Sequence, residues 1–454
     1  MIPRFLIAAA HKSSGKTVVS TGLARALQQR GLDVRTFKKG PDYIDPMWLE
    51  KASGRACYNL DFNTMGRDEI LRFFVDRTAG ADINLIESNK GLYDGVDLHG
   101  ADSNAAMAKL LQVPVVLVVD TSGTTRGIAP LLVGYQTFDP DARIAGVILN
   151  KVGGPRHEAK LRAAVAEYTD LPVLGAVARS DDLEIGERHL GLTTPGETGA
   201  LAVLIERLGT RMAESVDLDA LLEIGRSAPD LTAQPLTQPE RYAEGLRIGI
   251  PRDEAFGFYY PDDLEAMQAA GAELVFFDAL RDPELPDVDG LFIGGGFPET
   301  SAAALAANTS LLADIRSKIA AGLPGYAECG GLMYLCRSLE WQGERHPMVG
   351  AIEGDAVMCP RPQGRGYTRL QGAPDCLWQV DSAPFKAHEF HYARVDNLPA
   401  GTRYGFKVQR GAGIDGAHDG VVVNNLMAGF CHMRNTAGNP WVERFLRFVK
   451  SRKP

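Results

Sequence analysis

Long hydrophobic runs, closely paired cysteines and an excess of positive charge are all missing from this 454-residue chain. No stretch approaches the roughly 20 apolar residues that a membrane helix needs, so we expect no membrane-spanning segment. The net charge of −9 argues against a nucleic-acid-binding protein, although a local basic pocket could hold an anionic small molecule. The six cysteines form no CxxC pair, so neither a disulfide framework nor a zinc knuckle is expected.

The length of the chain predicts two or three domains of ordinary globular composition, with 45% apolar and 23% charged residues. The apolar N-terminus runs directly into a phosphate-loop pattern, so we interpret it as a buried first strand and not as a signal peptide. We therefore expect a cytoplasmic protein.

The first half of the chain alternates short apolar runs with helical patterns. The apolar runs are rich in Val, Ile and Leu on both faces, which is typical of parallel strands covered by helices. These runs are residues 3–10, 81–88, 113–120, 142–150 and 171–178. Residues 16–30 have the spacing of a helix, with Gly31 as its stop. Repeated strand–helix units predict a doubly wound α/β domain over residues 1–226.

A segment rich in Pro, Gln and small polar residues, residues 227–245, is predicted to be a linker. A new strand pattern opens at about residue 246. It is followed by three further strand-like runs, so a second α/β domain is predicted over residues 246–454. The strand-like runs of this half are residues 246–253, 273–280, 290–296 and 323–328.

A phosphate loop, AHKSSGKT, follows the first predicted strand and opens the first predicted helix. It departs from the strict Walker A pattern because Ala10 stands where Gly is usual. In such a loop, backbone N–H groups such as that of Gly15 bind phosphates, Lys16 bridges them and the Thr17 hydroxyl reaches Mg²⁺. The sequence therefore predicts a nucleotide site.

Two acidic segments follow predicted strands in the same half. Residues 38–46, KKGPDYIDP, are predicted to form a loop bounded by Pro and Gly. Two interpretations of this loop stay open: it binds a metal and an anion, or it is a polar surface loop without a site. Residues 87–95, ESNKGLYDG, begin with a carboxylate directly after an apolar strand. Mg²⁺-dependent phosphate chemistry takes its second acidic group at such a place.

Cys329 lies on a predicted strand-to-helix turn and is followed by Gly330 and Gly331. This pattern resembles a nucleophile elbow, in which glycines allow a strained backbone and close approach of the substrate. The N–H groups of Gly330 and of the glycines 294–296, with Gly295 in the middle, are candidate oxyanion donors.

A thiol nucleophile needs a base. We choose His432, at the end of a later apolar segment, and keep His388 and His391 of the segment AHEFHY as competitors. The sequence therefore predicts a catalytic pair of Cys329 and His432.

Together these motifs resemble the cobyrinate a,c-diamide synthase family, the glutamine-dependent a,c-diamide synthases of tetrapyrrole biosynthesis. The resemblance covers nearly the whole chain, and the joining of GPDYIDP to AECGG is its most specific feature. Supporting segments are the phosphate loop, GLYDG, ILNKVGGPRH, RHLGL, RDEAFGFYYPDDLE, GGGFPE, YAECGGLMYL and HEFHY.

The resemblance implies an N-terminal domain like dethiobiotin synthetase and a C-terminal class I glutamine amidotransferase domain. In the N-terminal half it implies ATP bound by the phosphate loop and Mg²⁺ held by Thr17, Asp45 and Glu87. Asn150 is then expected to face the adenine, and Asp94 to position or activate the tetrapyrrole carboxylate.

In the C-terminal half the resemblance implies that Cys329 attacks glutamine, with His432 as its base. The released ammonia is then expected to travel inside the protein to a carboxylate that ATP has converted to an acyl phosphate. Displacement of phosphate gives the amide, the reaction of a carbon–nitrogen ligase. Members of the family often form dimers, so a homodimer is a further expectation.

The chain departs from the family pattern at two places. Class I glutaminases commonly have Glu two residues after the histidine, where this chain has Arg434, so the group that orients the histidine is unassigned. The pair Asn89-Lys90 differs from the corrin enzymes and is similar to the branch that amidates sirohaem. We therefore lean towards sirohaem as the substrate and keep cobyrinate open.

Three other functions fit the motifs less well. A partitioning-type ATPase shares the phosphate loop but has no use for the AECGG elbow. A stand-alone glutaminase has no need of Lys16, Thr17, Asp45 and Glu87. Cobyric acid synthase, which amidates other positions, lacks the GPDYIDP segment as it stands here.

Overall fold

The computed structural model describes residues 2–180, 187–188, 191–192, 201–236, 240–378 and 383–453. The chain divides into two compact units, Met1–Leu236 and Thr237–Pro454. Each unit has hydrophobic core clusters of its own. Within the described ranges, no helix is both long enough and apolar enough to cross a membrane.

The first unit is built from alternating strands and helices. Its strands are β1 (Arg4–Ala9), β2 (Val34–Lys39), β3 (Cys57–Leu60), β4 (Ile83–Glu87), β5 (Val115–Asp120), β6 (Ile144–Val152), β7 (Val173–Ala178), β8 (Glu187–Arg188) and β9 (Gly191–Leu192). Its helices are α1 (Lys16–Gln29), α2 (Ile44–Ser53), α3 (Arg67–Arg77), α4 (Asn104–Leu110), α5 (Ile128–Phe138), α6 (Pro155–Tyr168), α7 (Leu201–Ser215) and α8 (Leu218–Arg226). Residues 189 and 190 of the RHLGL segment lie outside the described residues.

Seven strands of the first unit form one parallel sheet in the order β3-β2-β4-β1-β5-β6-β7. The central strands β1 and β4 are buried along their whole length, because helices cover both faces of the sheet. The doubly wound fold predicted from the apolar runs is therefore confirmed. The strand order places the carboxyl ends of β1, β2 and β4 side by side, where the phosphate loop and both acidic segments begin.

The segment 38–46 is only partly the loop that the sequence predicted. Lys38 and Lys39 are the last two residues of β2, and Asp45 lies in the first turn of α2. Only the residues between these elements form a turn. The prediction was wrong here because the neighbouring strands β3 and β4 bury the paired lysines. Two consecutive lysines do not indicate a buried strand end in the sequence.

The second unit contains more strands than the first. Its strands are β10 (Arg247–Pro251), β11 (Phe256–Phe258), β12 (Glu273–Phe277), β13 (Gly290–Ile293), β14 (Gly295–Gly296), β15 (Gly325–Glu328), β16 (Cys336–Trp341), β17 (Glu344–Pro347), β18 (Ile352–Met358), β19 (Gly364–Gly372), β20 (Phe385–His391), β21 (Ala393–Asp396), β22 (Arg403–Arg410), β23 (His418–Val423) and β24 (Leu426–Gly429). Its helices are α9 (Pro261–Ala269), α10 (Ala302–Ala307), α11 (Thr309–Ala320), α12 (Gly330–Leu335) and α13 (Trp441–Arg452), with a 3₁₀ helix at Pro298–Ser301.

The main sheet of the second unit is mixed, in the order β12-β10-β13-β15-β24-β23-β22-β19-β20. The strands from β12 to β24 pair in parallel, and the remainder pair antiparallel. The four predicted strands are four of the five strands in the parallel part, and β24 is the fifth, so the prediction of a second α/β domain is confirmed. The smaller sheet β17-β16-β18-β21 and the antiparallel extension were not predicted.

Candidate active sites

The phosphate loop connects β1 to α1 through two residues in left-handed backbone conformations. Ser13 has φ of 64° and Gly15 has φ of 81°. A Cβ atom at Gly15 would lie 2.3 Å from Nδ2 of Asn150, so both the backbone angle and the space require glycine here. The same Asn150 Nδ2 donates a hydrogen bond to the carbonyl oxygen of Ser14 at 2.8 Å. Asn150 therefore braces the loop, while its predicted contact with adenine stays a prediction.

Lys16, the first residue of α1, is buried beside the segment 87–95. Its Nζ donates a hydrogen bond to the carbonyl oxygen of Lys90 at 2.7 Å. Burial, followed by the like charge of Lys38, lowers the pKa of Lys16 to about 8. The loop thus holds a lysine whose charge is poorly satisfied and which a phosphate group would stabilise.

Asp45 and Glu87 form an acidic cluster in the first unit, and Lys38 lies between their carboxylates. Its Nζ lies 2.5 Å from Oδ2 of Asp45 and 2.8 Å from Oε1 of Glu87. Burial opposes the charge of Lys38, but the two carboxylates outweigh burial and raise its pKa above the ordinary value. Sequence analysis did not assign this lysine a role of its own, because its contact with Glu87 depends on the pairing of β2 with β4 and is not visible in the KKGPDYIDP segment.

The three predicted metal ligands lie together. The Thr17 hydroxyl donates to Oε1 of Glu87 at 3.0 Å, and Asp45 is joined to the same carboxylate through Lys38. The second oxygen of Glu87, Oε2, is buried and has no hydrogen-bond partner among the described residues. An all-oxygen donor set with one unsatisfied carboxylate oxygen fits Mg²⁺.

Asp94 lies at the exposed end of the same cluster. Its Oδ2 accepts a hydrogen bond from the backbone N–H of Gly91 at 2.9 Å, and its charge acts on Lys16. The structure therefore brings Asp94 close to Lys16 of the phosphate loop. Its role towards a substrate stays a prediction.

Cys329 forms a sharp turn between β15 and α12. Its φ of 48° and ψ of −102° lie outside the regions that ordinary residues adopt. Its backbone N–H donates to the carbonyl oxygen of Gly429 at 2.8 Å, which anchors the turn to β24. This is the strained geometry of a nucleophile elbow.

His432 lies beside this turn, and a side-chain hydrogen bond joins it to Cys329. Burial opposes protonation of the imidazole, but Cys329 and Glu328 outweigh burial and raise the pKa of His432 to about 10. The histidine is therefore charged at neutral pH.

Glu328 is the functional residue that sequence analysis missed. It is only 2% exposed, and its Oε2 lies 3.3 Å from Nδ1 of His432. Its Oε1 accepts the backbone N–H of Met433 at 2.7 Å and the hydroxyl of Tyr326 at 2.8 Å. The available signal was an acidic residue at the end of a buried strand, directly before the nucleophile.

Arg434 does not take the place of the missing glutamate. It is 1% exposed, and its Nη2 forms an ion pair with Oδ2 of Asp262 at 3.0 Å, while the ring of Tyr260 lies under its guanidinium. Its charge is thus directed to α9, and the histidine takes its carboxylate from the nucleophile strand.

The candidate oxyanion glycines pack against this turn. A Cβ atom at Gly330 would lie 3.0 Å from the backbone N of Gly296, and one at Gly295 would lie 2.7 Å from Cε1 of His432. The backbone of β14 and of the first residue of α12 therefore lies at the nucleophile turn, with no space for side chains at these glycines.

The two competing histidines have other surroundings. His388 stacks on His432 with ring centroids 4.9 Å apart, and burial, followed by the charges of His432 and Arg434, lowers its pKa well below the ordinary value. His391 stacks on Phe430 at 3.9 Å, and its Nδ1 lies 2.7 Å from the carbonyl oxygen of Ala393. Both are buried packing residues, so His432 is the histidine that the structure brings to Cys329.

Comparison with known proteins agrees with both halves of the chain. Residues 5–192 match the family model for the CobQ/CobB/MinD/ParA nucleotide binding domain, and residues 247–440 match that for the CobB/CobQ-like glutamine amidotransferase domain.

Three relatives that match over nearly their full length share one name. A protein named cobyrinate a,c-diamide synthase from Magnetococcus marinus is 44% identical over 99% of this chain and 98% of its own length. Proteins of that name from Methanosarcina acetivorans and Archaeoglobus fulgidus are 40% and 39% identical, each over 100% of this chain and over 97% and 98% of their own lengths.

Proposed function

Because the chain belongs to the cobyrinate a,c-diamide synthase family, we propose that it uses ATP and glutamine to amidate peripheral carboxylates of a tetrapyrrole. The observation that carries the proposal is one chain with both a phosphate loop beside a lysine–carboxylate cluster and a cysteine elbow paired with a histidine. We assign residues 1–226 to the synthetase, 227–245 to a linker and 246–454 to the amidotransferase. We further propose a cytoplasmic enzyme that forms a homodimer.

In the synthetase half, a carboxylate oxygen of the tetrapyrrole attacks the terminal phosphorus of ATP, and ADP leaves. Lys16 and Lys38 hold positive charge where the transferred phosphate and the substrate carboxylate meet. Mg²⁺, held by Thr17, Asp45 and Glu87, would neutralise further phosphate charge when bound. Ammonia then attacks the acyl phosphate carbon, and inorganic phosphate leaves the amide product.

In the amidotransferase half, the Cys329 thiolate attacks the side-chain amide carbon of glutamine. Backbone N–H groups of Gly295 and Gly330 stabilise the oxyanion, and the His432 imidazolium gives its proton to the leaving ammonia. Water hydrolyses the thioester to glutamate. We propose that the ammonia passes inside the protein, because ammonia released to neutral water would be protonated and lost as a nucleophile.

Glu328 completes this site as a positioning residue. Its carboxylate fixes the Nδ1 side of His432 and raises the pKa of the imidazole, so that the histidine keeps the proton that the leaving ammonia needs. The two other hydrogen bonds that Glu328 accepts keep its carboxylate in place.

Cobyrinate is the first candidate substrate, because it is named in the full-length relatives. Sirohaem is the second candidate, on a separate observation. The Lys90 side chain is exposed, and its charge acts on Lys39 at the acidic cluster. An exposed cation at this place suits a macrocycle with more acidic side chains.

The test is incubation with ATP, Mg²⁺ and glutamine labelled at the amide nitrogen, with cobyrinate and sirohaem offered in parallel and products followed by mass spectrometry. Two labelled amides in cobyrinate would support the first candidate, and label only in sirohaem would support the second. Glutamine hydrolysis with no label in either would overturn the substrate class. Cys329→Ala is the control, and it should fail with glutamine while still working with ammonium salts.

A further inference from the structure

A short loop after Asp94, residues 95–102, presents apolar side chains to solvent from a fixed backbone. Both carboxylate oxygens of Asp102 accept the backbone N–H of Val96 at 3.0 Å, and one of them accepts that of Asp97 at 3.0 Å. The Asp97 carboxylate in turn accepts the N–H groups of His99 and Ala101. The loop is thus cross-linked by its own acidic residues.

Two cations from other elements hold the same loop from outside. Lys39 Nζ donates to the carbonyl oxygen of Asp102 at 2.6 Å, and Arg67 Nη2 donates to that of Ala101 at 2.7 Å. These bonds fix the end of the loop to β2 and α3. The orientation of its tip is therefore set by the fold.

The tip of the loop, residues 96–98, exposes apolar side chains to solvent. Val96 is 64% exposed and Leu98 is 93% exposed. On the other side of Asp94 along the chain, the ring of Tyr93 packs at 4.8 Å against that of Phe138, which is itself 74% exposed. Apolar surface thus flanks the carboxylate that lies beside the phosphate loop.

Positive charge lies next to this apolar surface. Lys90 is exposed, and no ion pair holds its side chain among the residues that the structure describes. Its charge acts on Lys39, which holds the end of the loop, while Lys16 is within the field of Asp94 at the start of the loop. Lys90 is therefore an exposed cation beside the anchored ends of the loop, and its own carbonyl oxygen accepts a hydrogen bond from Lys16 Nζ.

We propose that residues 95–102, with Phe138, bind the apolar face of the macrocycle whose carboxylate is phosphorylated, and that Lys90 pairs with another of its peripheral carboxylates. A flat ring with an apolar face and acidic side chains matches this combination of fixed apolar tips and a flanking cation. This inference rests on the proposed function and assigns the substrate contacts that determine its affinity.

Leu98→Gln is the test variant, because Leu98 contributes nothing to the core and its loss leaves the loop hydrogen bonds intact. Steady-state amidation should show KM for the tetrapyrrole raised on the order of tenfold, with kcat and KM for ATP within about twofold of wild type. Val203→Gln on α7 is the matched control, because Val203 is likewise an exposed apolar residue, 60% exposed, and it should leave all three constants unchanged. Lys90→Gln should raise the same KM less at high salt than at low salt.

An unchanged KM for the tetrapyrrole in Leu98→Gln would overturn the inference. If the variant also lost self-association, the loop would instead contact a second copy of the chain. Binding measured by absorbance titration of the tetrapyrrole separates this inference from the proposed function. A wild type that binds without amidating, with binding weakened in Leu98→Gln, keeps the surface and overturns the activity. A wild type that binds no tetrapyrrole overturns both.

Discussion

His432 is a buried histidine whose pKa is raised, where burial alone would lower it. The opposing contributions of Cys329 and Glu328 exceed the effect of burial and bring the pKa to about 10, above the unfolded value of about 6.5. Protonated His432 therefore stabilises the folded state fully below about pH 6.5, and this contribution is lost as the pH rises through 10. The same proton is the one that the proposed glutaminase transfers to ammonia.

Replacement of Glu328 by Gln should move the alkaline limb of the glutaminase pH profile. In the wild type, kcat/KM for glutamine should hold through neutral pH and fall as the pH approaches about 10. In Glu328→Gln the fall should begin at least about one pH unit lower, with kcat reduced on the order of 10- to 100-fold. Glu344→Gln, at an exposed glutamate, is the control. A lower rate with an unmoved limb would mean that Glu328 has only a structural role.

Lys16 has the opposite property, because burial and the charge of Lys38 lower its pKa to about 8. The phosphates of a bound nucleotide should restore its charge, so binding of an ATP analogue at pH 8 should take up about half a proton. Calorimetry in two buffers of different ionisation enthalpy measures this uptake. The Lys16→Arg variant is the control, because its guanidinium is charged in both states. Equal uptake in wild type and variant would assign the proton to another group.

At the scale of elements, the nucleophile turn depends on a glycine where two pieces of backbone meet. A Cβ atom at Gly331 in α12 would lie 2.5 Å from the carbonyl oxygen of Ile293 in β13. Close approach of this helix to the sheet is what holds the nucleophile turn between β15 and α12. Among the described residues, nothing lies within 4 Å of a Cβ atom added at Gly134 in α5, so the two helical glycines form a matched pair.

Gly331→Ala should therefore destabilise the second unit, by about 1 to 3 kcal/mol, since backbone must move to admit the methyl group. Gly134→Ala should be neutral or stabilising by up to about 1 kcal/mol, because alanine is the better helix former. Urea unfolding followed by circular dichroism measures both changes. Equal stability of the two variants would show that α12 can shift away from β13 without loss.

Local sequence patterns predicted the elements whose own residues show a clear period. Contacts that depend on pairing between distant strands were not predicted. The apolar run before the phosphate loop appears as β1, and the helix predicted over residues 16–30 appears as α1, Lys16–Gln29. The position of Glu328 before the nucleophile was visible in the sequence, but its contact with His432 was not, because that contact depends on β15 pairing with β24. The antiparallel strands were missed for a different reason, because apolar and polar residues alternate only weakly along them.

For the molecule as a whole, the proposed phosphate transfer and the proposed glutamine hydrolysis belong to two compact units with separate cores. The cluster around β1 and β5 belongs to Met1–Leu236, and the clusters around β13 and α13 belong to Thr237–Pro454. A ligand that binds only one folding unit stabilises that unit by mass action. Each half-reaction should therefore leave its own signature in thermal unfolding.

We expect calorimetric unfolding to contain a component that shifts with nucleotide and another that shifts with a thiol-directed glutamine analogue. At 100 times its dissociation constant, an ATP analogue adds about 2.7 kcal/mol to the native state, which corresponds to a rise in Tm of about 5 to 10 °C for a unit of this size. Lys16→Met should abolish only the nucleotide shift, and Cys329→Ala only the shift with the glutamine analogue. A single transition that moves with either ligand would contradict this expectation, because it would mean that the two units unfold as one cooperative body.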